Sequence, residues 1–177
     1  MELIDALKGR RSIRKFIDRP IEKETIHKIL EAGALAPSGG NRQPWRFIVV
    51  TDKDKIKQFD PYAHQECVEK APAVIVVCAD PHDTWAKYDE DDHCYRLDTS
   101  AAIQNMLLAI HGIGLGAVWV ITCSKRDIRR LVEIPKHWEI ISIISFGYYN
   151  EADNPNRTGR RPLSEVAFME DIEHPVK

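Results

Sequence analysis

The chain has 177 residues, 44% hydrophobic and 29% charged, a length that fits one domain built on one core. Lys and Arg number 25 against 27 Asp and Glu, a formal charge of −2, too balanced for a protein that lives on nucleic acid or anionic membrane. No apolar run approaches the ~20 residues of a membrane helix, and the acidic start carries no export pattern, so a single cytoplasmic domain over residues 1–177 is expected.

In chain order, Leu3, Ile4 and Leu7 form one helical stripe, and Ile26, Ile29, Leu30 and Ala34 form another, which predicts helices over residues 2–8 and 22–35. Between them residues 12–16 suit an extended segment, stopped at Arg19 and Pro20. Residues 37–44, rich in Gly, Ser, Asn and Pro, read as a loop. A β-branched run at 47–50 predicts a strand, and 52–59 a short charged helix. Residues 73–79 read as a second, buried strand. Segment 80–93, with Pro81 and the acidic run Asp89, Glu90, Asp91 and Asp92, reads as a loop or lid. Residues 98–113 form the most helical stretch, with an apolar stripe too wide for a simple surface helix. Glycines 112, 114 and 116 end it, a third strand follows at 117–121, and Ser124 with Asp127 forms a capping-box pattern for a helix to Leu131. A fourth strand is expected at 140–148, and the polar tail from Asn150, with Pro155 and Gly159, as an extended arm over 150–177. This order permits a wound α/β sheet or an α+β domain.

Four cysteines, Cys67, Cys78, Cys94 and Cys123, match no zinc or redox spacing, so they read as reduced thiols, with Cys78 a packing residue. The acidic run with His93 and Cys94 has no metal-ligand spacing, and no metal is expected. The glycines at 112–116 follow a helix and precede a strand, the reverse of a dinucleotide-binding fingerprint. Neither a phosphate-binding Walker loop nor a nucleophile elbow is present.

Two stretches carry chemistry. In an extended segment Arg10, Ser12 and Arg14 share a face, and two guanidinium forks around a hydroxyl suit a phosphate, although a solvated basic turn would read the same way. In residues 37–45 the paired glycines let backbone approach a ligand, while Ser38, Asn41 and Gln43 offer donors and acceptors. Taken alone this is also an ordinary connection between a helix and a strand.

These stretches, read collinearly with Ala71-Pro72, Gln104-Asn105, residues 114–119, Phe146-Gly147 and residues 160–163, resemble the nitroreductase-like flavoproteins, FMN-dependent NAD(P)H oxidoreductases. The resemblance runs over nearly the whole chain. It implies an α+β, three-layer sandwich with a mainly antiparallel sheet flanked by helices, in an intertwined homodimer whose C-terminal arm crosses to the partner. It implies FMN as cofactor, with Arg10, Ser12 and Arg14 on its phosphate and ribityl chain, Arg11 in the same segment, and Arg160 as a further phosphate-binding cation. Pro37, Ser38, Gly39 and Asn41 resemble the loop that reaches the flavin from the other subunit, and Gln65 a position touching the ring or ribityl chain. Trp119, Val120 and Ile121 correspond to the strand end beside the isoalloxazine.

The expected activity is ping-pong reduction of small planar acceptors such as nitroaromatics, quinones or flavins by NAD(P)H, with no catalytic side chain, because the cofactor carries the hydride chemistry. The alternatives are a specialised relative, a reductive dehalogenase or an oxidase, and a flavin-binding redox sensor without turnover.

Overall fold

The computed structural model describes residues 2–59, 66–85, 94–154 and 158–176. Gln65, the acidic run 89–92 and His93 lie outside the described residues. Among the described residues six α-helices and four strands follow one another: α1 Leu3–Gly9, α2 Lys23–Ala34, β1 Trp45–Val50, α3 Lys53–Lys57, α4 Glu66–Glu69, β2 Ala73–Ala79, α5 Cys94–Gly112, β3 Gly116–Val120, α6 Lys125–Leu131 and β4 Glu139–Gly147.

The strands form one sheet in the order β1-β2-β4-β3, and every pairing is antiparallel. All seven residues of β2 are buried, because helices cover both faces of the sheet. On one face Val74, Val76, Val118 and Val120 pack with Ile56, Phe59, Val68 and Ile128 from α3, its C-terminal turn, α4 and α6. On the other, Ile75, Val77, Ala117 and Phe146 pack with Ile29 of α2 and Ile103, Met106 and Ile110 of α5. The result is an α+β sandwich of three layers, with alternate residues of each strand feeding alternate cores. One register shift departs from strict alternation: Val77 faces Ser142 and Cys78 faces Ile140, so Ile141 is an extra residue in β4. That bulge lets Ile140 and Ile143 enter the same core.

Several boundaries differ from the sequence expectation. β1 begins at Trp45 rather than 47, and β3 ends at Val120, leaving Ile121 outside it. α5 begins at Cys94 instead of 98, because Tyr95 is buried and donates through its hydroxyl to Glu139 at 2.7 Å, anchoring the added turn to β4. The capping box before α6 does not form. Ser124 Oγ donates to the Asp127 carboxylate at 2.5 Å and no backbone amide bonds the Ser124 side chain, while burial of Ile128 holds the helix in place.

The segment after α1 lies along the free edge of β3. Ser12 forms a parallel bridge with Ala117, and the Ile13 amide donates to the Ala117 carbonyl at 2.9 Å. Gly116 makes this approach feasible, since a Cβ there would sit 2.7 Å from carbons of Ile13. Residues 158–176 are largely exposed and are tied to one another by a bridge between Phe168 and Pro175. No helix among the described residues is long and apolar enough to cross a membrane.

Candidate active site

Ile13 is 2% exposed and points into the core, so the alternation of an extended segment turns Ser12 and Arg14 outward. Arg10, Arg11, Ser12 and Arg14 line a groove of about 310 Å³, together with Lys8, Gly9, Thr158 and Arg160. Four guanidiniums, one ammonium and two hydroxyls thus converge, and no carboxylate is among the lining residues. Burial lowers the Arg10 guanidinium from its usual pKa, and the like charge of Arg160 lowers it further. Such a site favours an anion, which would relieve the repulsion and accept forked hydrogen bonds.

The groove is held open by a residue that sequence reasoning left in the polar tail. Asn154 is 8% exposed. Its Oδ1 accepts from the backbone amides of Arg14 at 3.0 Å and Lys15 at 3.1 Å, and its Nδ2 donates to the carbonyls of Lys15 at 3.1 Å and Asn150 at 3.2 Å. Arg11 completes the clasp, donating to the Asn154 carbonyl and pairing with Glu151 at 2.7 Å. Arg11 therefore contributes to the groove wall with its charge already engaged, whereas Arg10, Ser12 and Arg14 face the opening. Lys8 and Thr158 also escaped the sequence reading. Neither stands in a motif, and only the fold brings positions 8 and 158 together.

The predicted strand-end residues lie beyond Ala117 on the same edge. Trp119 is two residues from the Ser12 bridge, about 7 Å along the strand. It is half-buried, and its indole N–H is buried with no hydrogen-bond partner among the described residues. Val120 is fully buried in the opposite core, so only its backbone faces the edge, and Ile121 is 63% exposed. The loop containing Pro37, Ser38, Gly39 and Asn41 does not line the groove. It is docked at the other end of α5, where the Gly39 amide donates to Asp98 Oδ1 at 3.2 Å. The crevice beside Arg10 and Arg11 is bordered instead by Leu107 and His111, nine and thirteen residues further along the helix, roughly 14–20 Å at 1.5 Å per residue.

Elsewhere the chemistry is quiet. Burial pushes the Cys78 thiol up to about 12 and raises that of Cys123, and both belong to the apolar core between α6 and the sheet. Among the described residues no group of His, Cys, Asp and Glu could hold a metal ion.

A family model for the nitroreductase family matches residues 7–70 and 61–148. A protein of Archaeoglobus fulgidus whose name couples NADH dehydrogenase with NAD(P)H nitroreductase is 40% identical over 173 residues, covering 90% of this chain and 97% of its own. A Desulfovibrio desulfuricans structure, solved under a nitroreductase description in complex with FMN, superposes with a TM-score of 0.78 at 30% identity, over 97% of this chain and 98% of that one. The Vibrio harveyi NADPH:FMN oxidoreductase, solved with NAD+, superposes at 0.84 with 28% identity, over 96% of this chain and 77% of that one. With the three-layer sandwich and antiparallel sheet described above, these matches establish that the chain belongs to the nitroreductase family.

Proposed function

We propose that this chain is an FMN-dependent oxidoreductase that takes reducing equivalents from NAD(P)H and delivers them to small planar acceptors such as nitroaromatics, quinones or flavins. The groove of Arg10, Ser12, Arg14 and Arg160 carries this reading. It is a cation cluster without a carboxylate, of a size and donor set that fit a phosphate monoester. The relatives with FMN or NAD+ in their names and structures support the same assignment.

When bound, FMN would supply two-electron storage, accepting a hydride from one substrate and releasing the electrons to another. The chain's own work is to bind and orient. Arg10, Arg14 and Arg160 neutralise the phosphate, and Ser12 adds a hydroxyl donor. The Asn154 clasp and the tight approach at Gly116 fix the phosphate-binding backbone against β3. The strand end at Trp119, Val120 and Ile121 borders the ring.

The 37–41 loop, docked at the far end of α5, serves the flavin of a second copy. A homodimer is the assembly this requires, and exposed apolar side chains on α1 (Leu3 69%, Ile4 57%) and in the tail (Met169 63%, Ile172 82%) are suited to being covered by it. With no dinucleotide-binding fingerprint, NAD(P)H and acceptor use one pocket in turn.

The test is a titration of apo protein with FMN, followed by anaerobic addition of NADH or NADPH and initial rates at several fixed acceptor concentrations. One FMN per chain, bleaching by a reduced nicotinamide and parallel double-reciprocal lines are expected. Absence of FMN binding removes the reading, and intersecting lines, with dead-end inhibition excluded, remove the shared pocket.

A further inference from the structure

Residues 38–43 form a turn of unusual backbone strain. Gly40, Asn41 and Gln43 all lie in the left-handed region, at φ 55°, 55° and 51°, which Gly and Asn tolerate but which is disfavoured for Gln43. The bonds inside the turn are short-range: the Asn41 amide donates to the Ser38 carbonyl at 3.0 Å and the Gln43 amide to Ser38 Oγ at 3.0 Å. Strained backbone of this kind persists only when surrounding structure over-determines it.

Among the contacts that reach the turn from elsewhere in the fold, besides the Arg46 guanidinium on the Gln43 carbonyl at 3.3 Å, those of Asp98 and Trp85 fall on its glycines. Asp98, in the second turn of α5, accepts from the Gly39 amide at 3.2 Å, while its other oxygen is buried with no hydrogen-bond partner among the described residues. Trp85 rests directly on the glycine backbone. A Cβ on Gly40 would lie 1.9 Å from Cε3 of its ring, and one on Gly39 would lie 2.9 Å from its Cβ. Both glycines are therefore occupied by Trp85 in place of side chains of their own.

We infer that Asp98 and Trp85 are positioning residues that hold the 38–41 turn in its strained form, and that through it they set how firmly the flavin is held. The second half rests on the function proposed above, in which Ser38 and Asn41 face the flavin of a second copy. A carboxylate is suited to the first task, because its bond to a backbone amide is charge-assisted. An aromatic plane is suited to the second, since it covers two glycines without asking them for a polar partner.

Arg42 is exposed within the turn, so trypsin cleavage after Arg42 in the apo protein, followed by mass spectrometry of the peptide ending there, reads loop order without any flavin. Asp98→Ala and Trp85→Ala should each speed that cleavage by about ten- to a hundredfold, the equilibrium worth of a hydrogen bond to a charged group or a comparable contact. Asp98→Asn should fall between wild type and Asp98→Ala, because its amide oxygen still accepts from Gly39 but without the charge. In a Gly40→Ala background, where the new Cβ already displaces the ring, Trp85→Ala should add nothing. FMN dissociation constants of the reconstituted protein should rise in the same order as the cleavage rates. Trp85 is 46% exposed, so its removal leaves the core intact and serves if the Asp98→Ala variant does not fold.

Wild-type cleavage rates in Trp85→Ala and Asp98→Ala would overturn the inference, as would a loosened turn with unchanged FMN affinity. Ser38→Ala and Asn41→Ala separate the two levels. If both bind FMN as the wild type does, the turn is not part of the flavin site and that part of the proposed function fails, while the trypsin result still decides whether Asp98 and Trp85 hold the turn.

Discussion

Replacing Asn154 by Ala removes one buried side chain and leaves the residues that line the groove in place, as Asn154 is not among them. The side chain makes four hydrogen bonds, two accepted from the amides of residues 14 and 15 and two donated to the carbonyls of residues 15 and 150. At about 0.5–1.5 kcal/mol net per bond, and with water regaining some of the freed backbone groups of the exposed residues 14 and 15, the loss should be roughly 2–3 kcal/mol. For a chain of this size that corresponds to a fall in melting temperature of roughly 4–12 °C. The assay is thermal unfolding of the apo protein, so that cofactor linkage does not contribute, with FMN titration run in parallel. Flavin affinity should weaken as well, because the freed amides belong to the segment that carries Ser12 and Arg14. Asn150→Ala is the control. Its exposed amide bonds Asp153 at 3.1 Å, and its loss should stay within about 0.5 kcal/mol, as for most surface changes. A melting shift in Asn154→Ala no larger than in the control, with FMN affinity unchanged, would refute the clasp.

Arg14→Ala should weaken FMN binding by about 1.5–3 kcal/mol, the worth of a hydrogen bond to a charged group, measured by quenching of flavin fluorescence; unchanged affinity in both Arg14→Ala and Arg10→Ala would remove the phosphate assignment. Light scattering of the yellow protein should give about twice the 20.3 kDa chain mass, and Leu3→Glu with Leu7→Glu should release both the partner and the flavin. A monomeric mass for an active sample would rule out the shared site. Glu139 supplies a pH test. Burial alone would raise its carboxyl, but hydrogen bonds from Tyr95 and Arg96 and the charges of Arg96 and Lys125 outweigh burial and hold it below its ordinary 4.5. A depressed folded pKa adds stability that is present above 4.5 and lost as pH falls through the lowered value. Urea midpoints of wild type and Glu139→Gln should therefore differ at pH 7 and draw together as the pH falls below 4.5, and a pH-independent difference would contradict the charge-based account.

Much of the frame was legible from local pattern. The buried run at 73–79 and the wide stripe of α5 each state their environment through residue type, because a strand covered on both faces needs apolar side chains at every position. The cation face was legible too, since period-two alternation puts residues 10, 12 and 14 on one side wherever the segment is extended. Boundaries were less so. α5 gained a turn because Tyr95 found Glu139 forty-four positions away, and the box at Ser124 failed because its two side chains bonded each other.

What the sequence by itself determined, then, is the set of elements, the chemistry on their faces and, through motif resemblance, the family. The tertiary structure alone decided which distant groups meet. Arg160 comes beside Arg10, Asn154 clasps residues 14 and 15, Asp98 takes the Gly39 amide, and Trp85 covers Gly40. The physical reason is one of range. Helical and strand periodicities arise from neighbours a few residues apart, whereas a polar side chain in a loop has no period, and its partner is set only when the packed core brings two remote stretches of backbone within hydrogen-bonding distance.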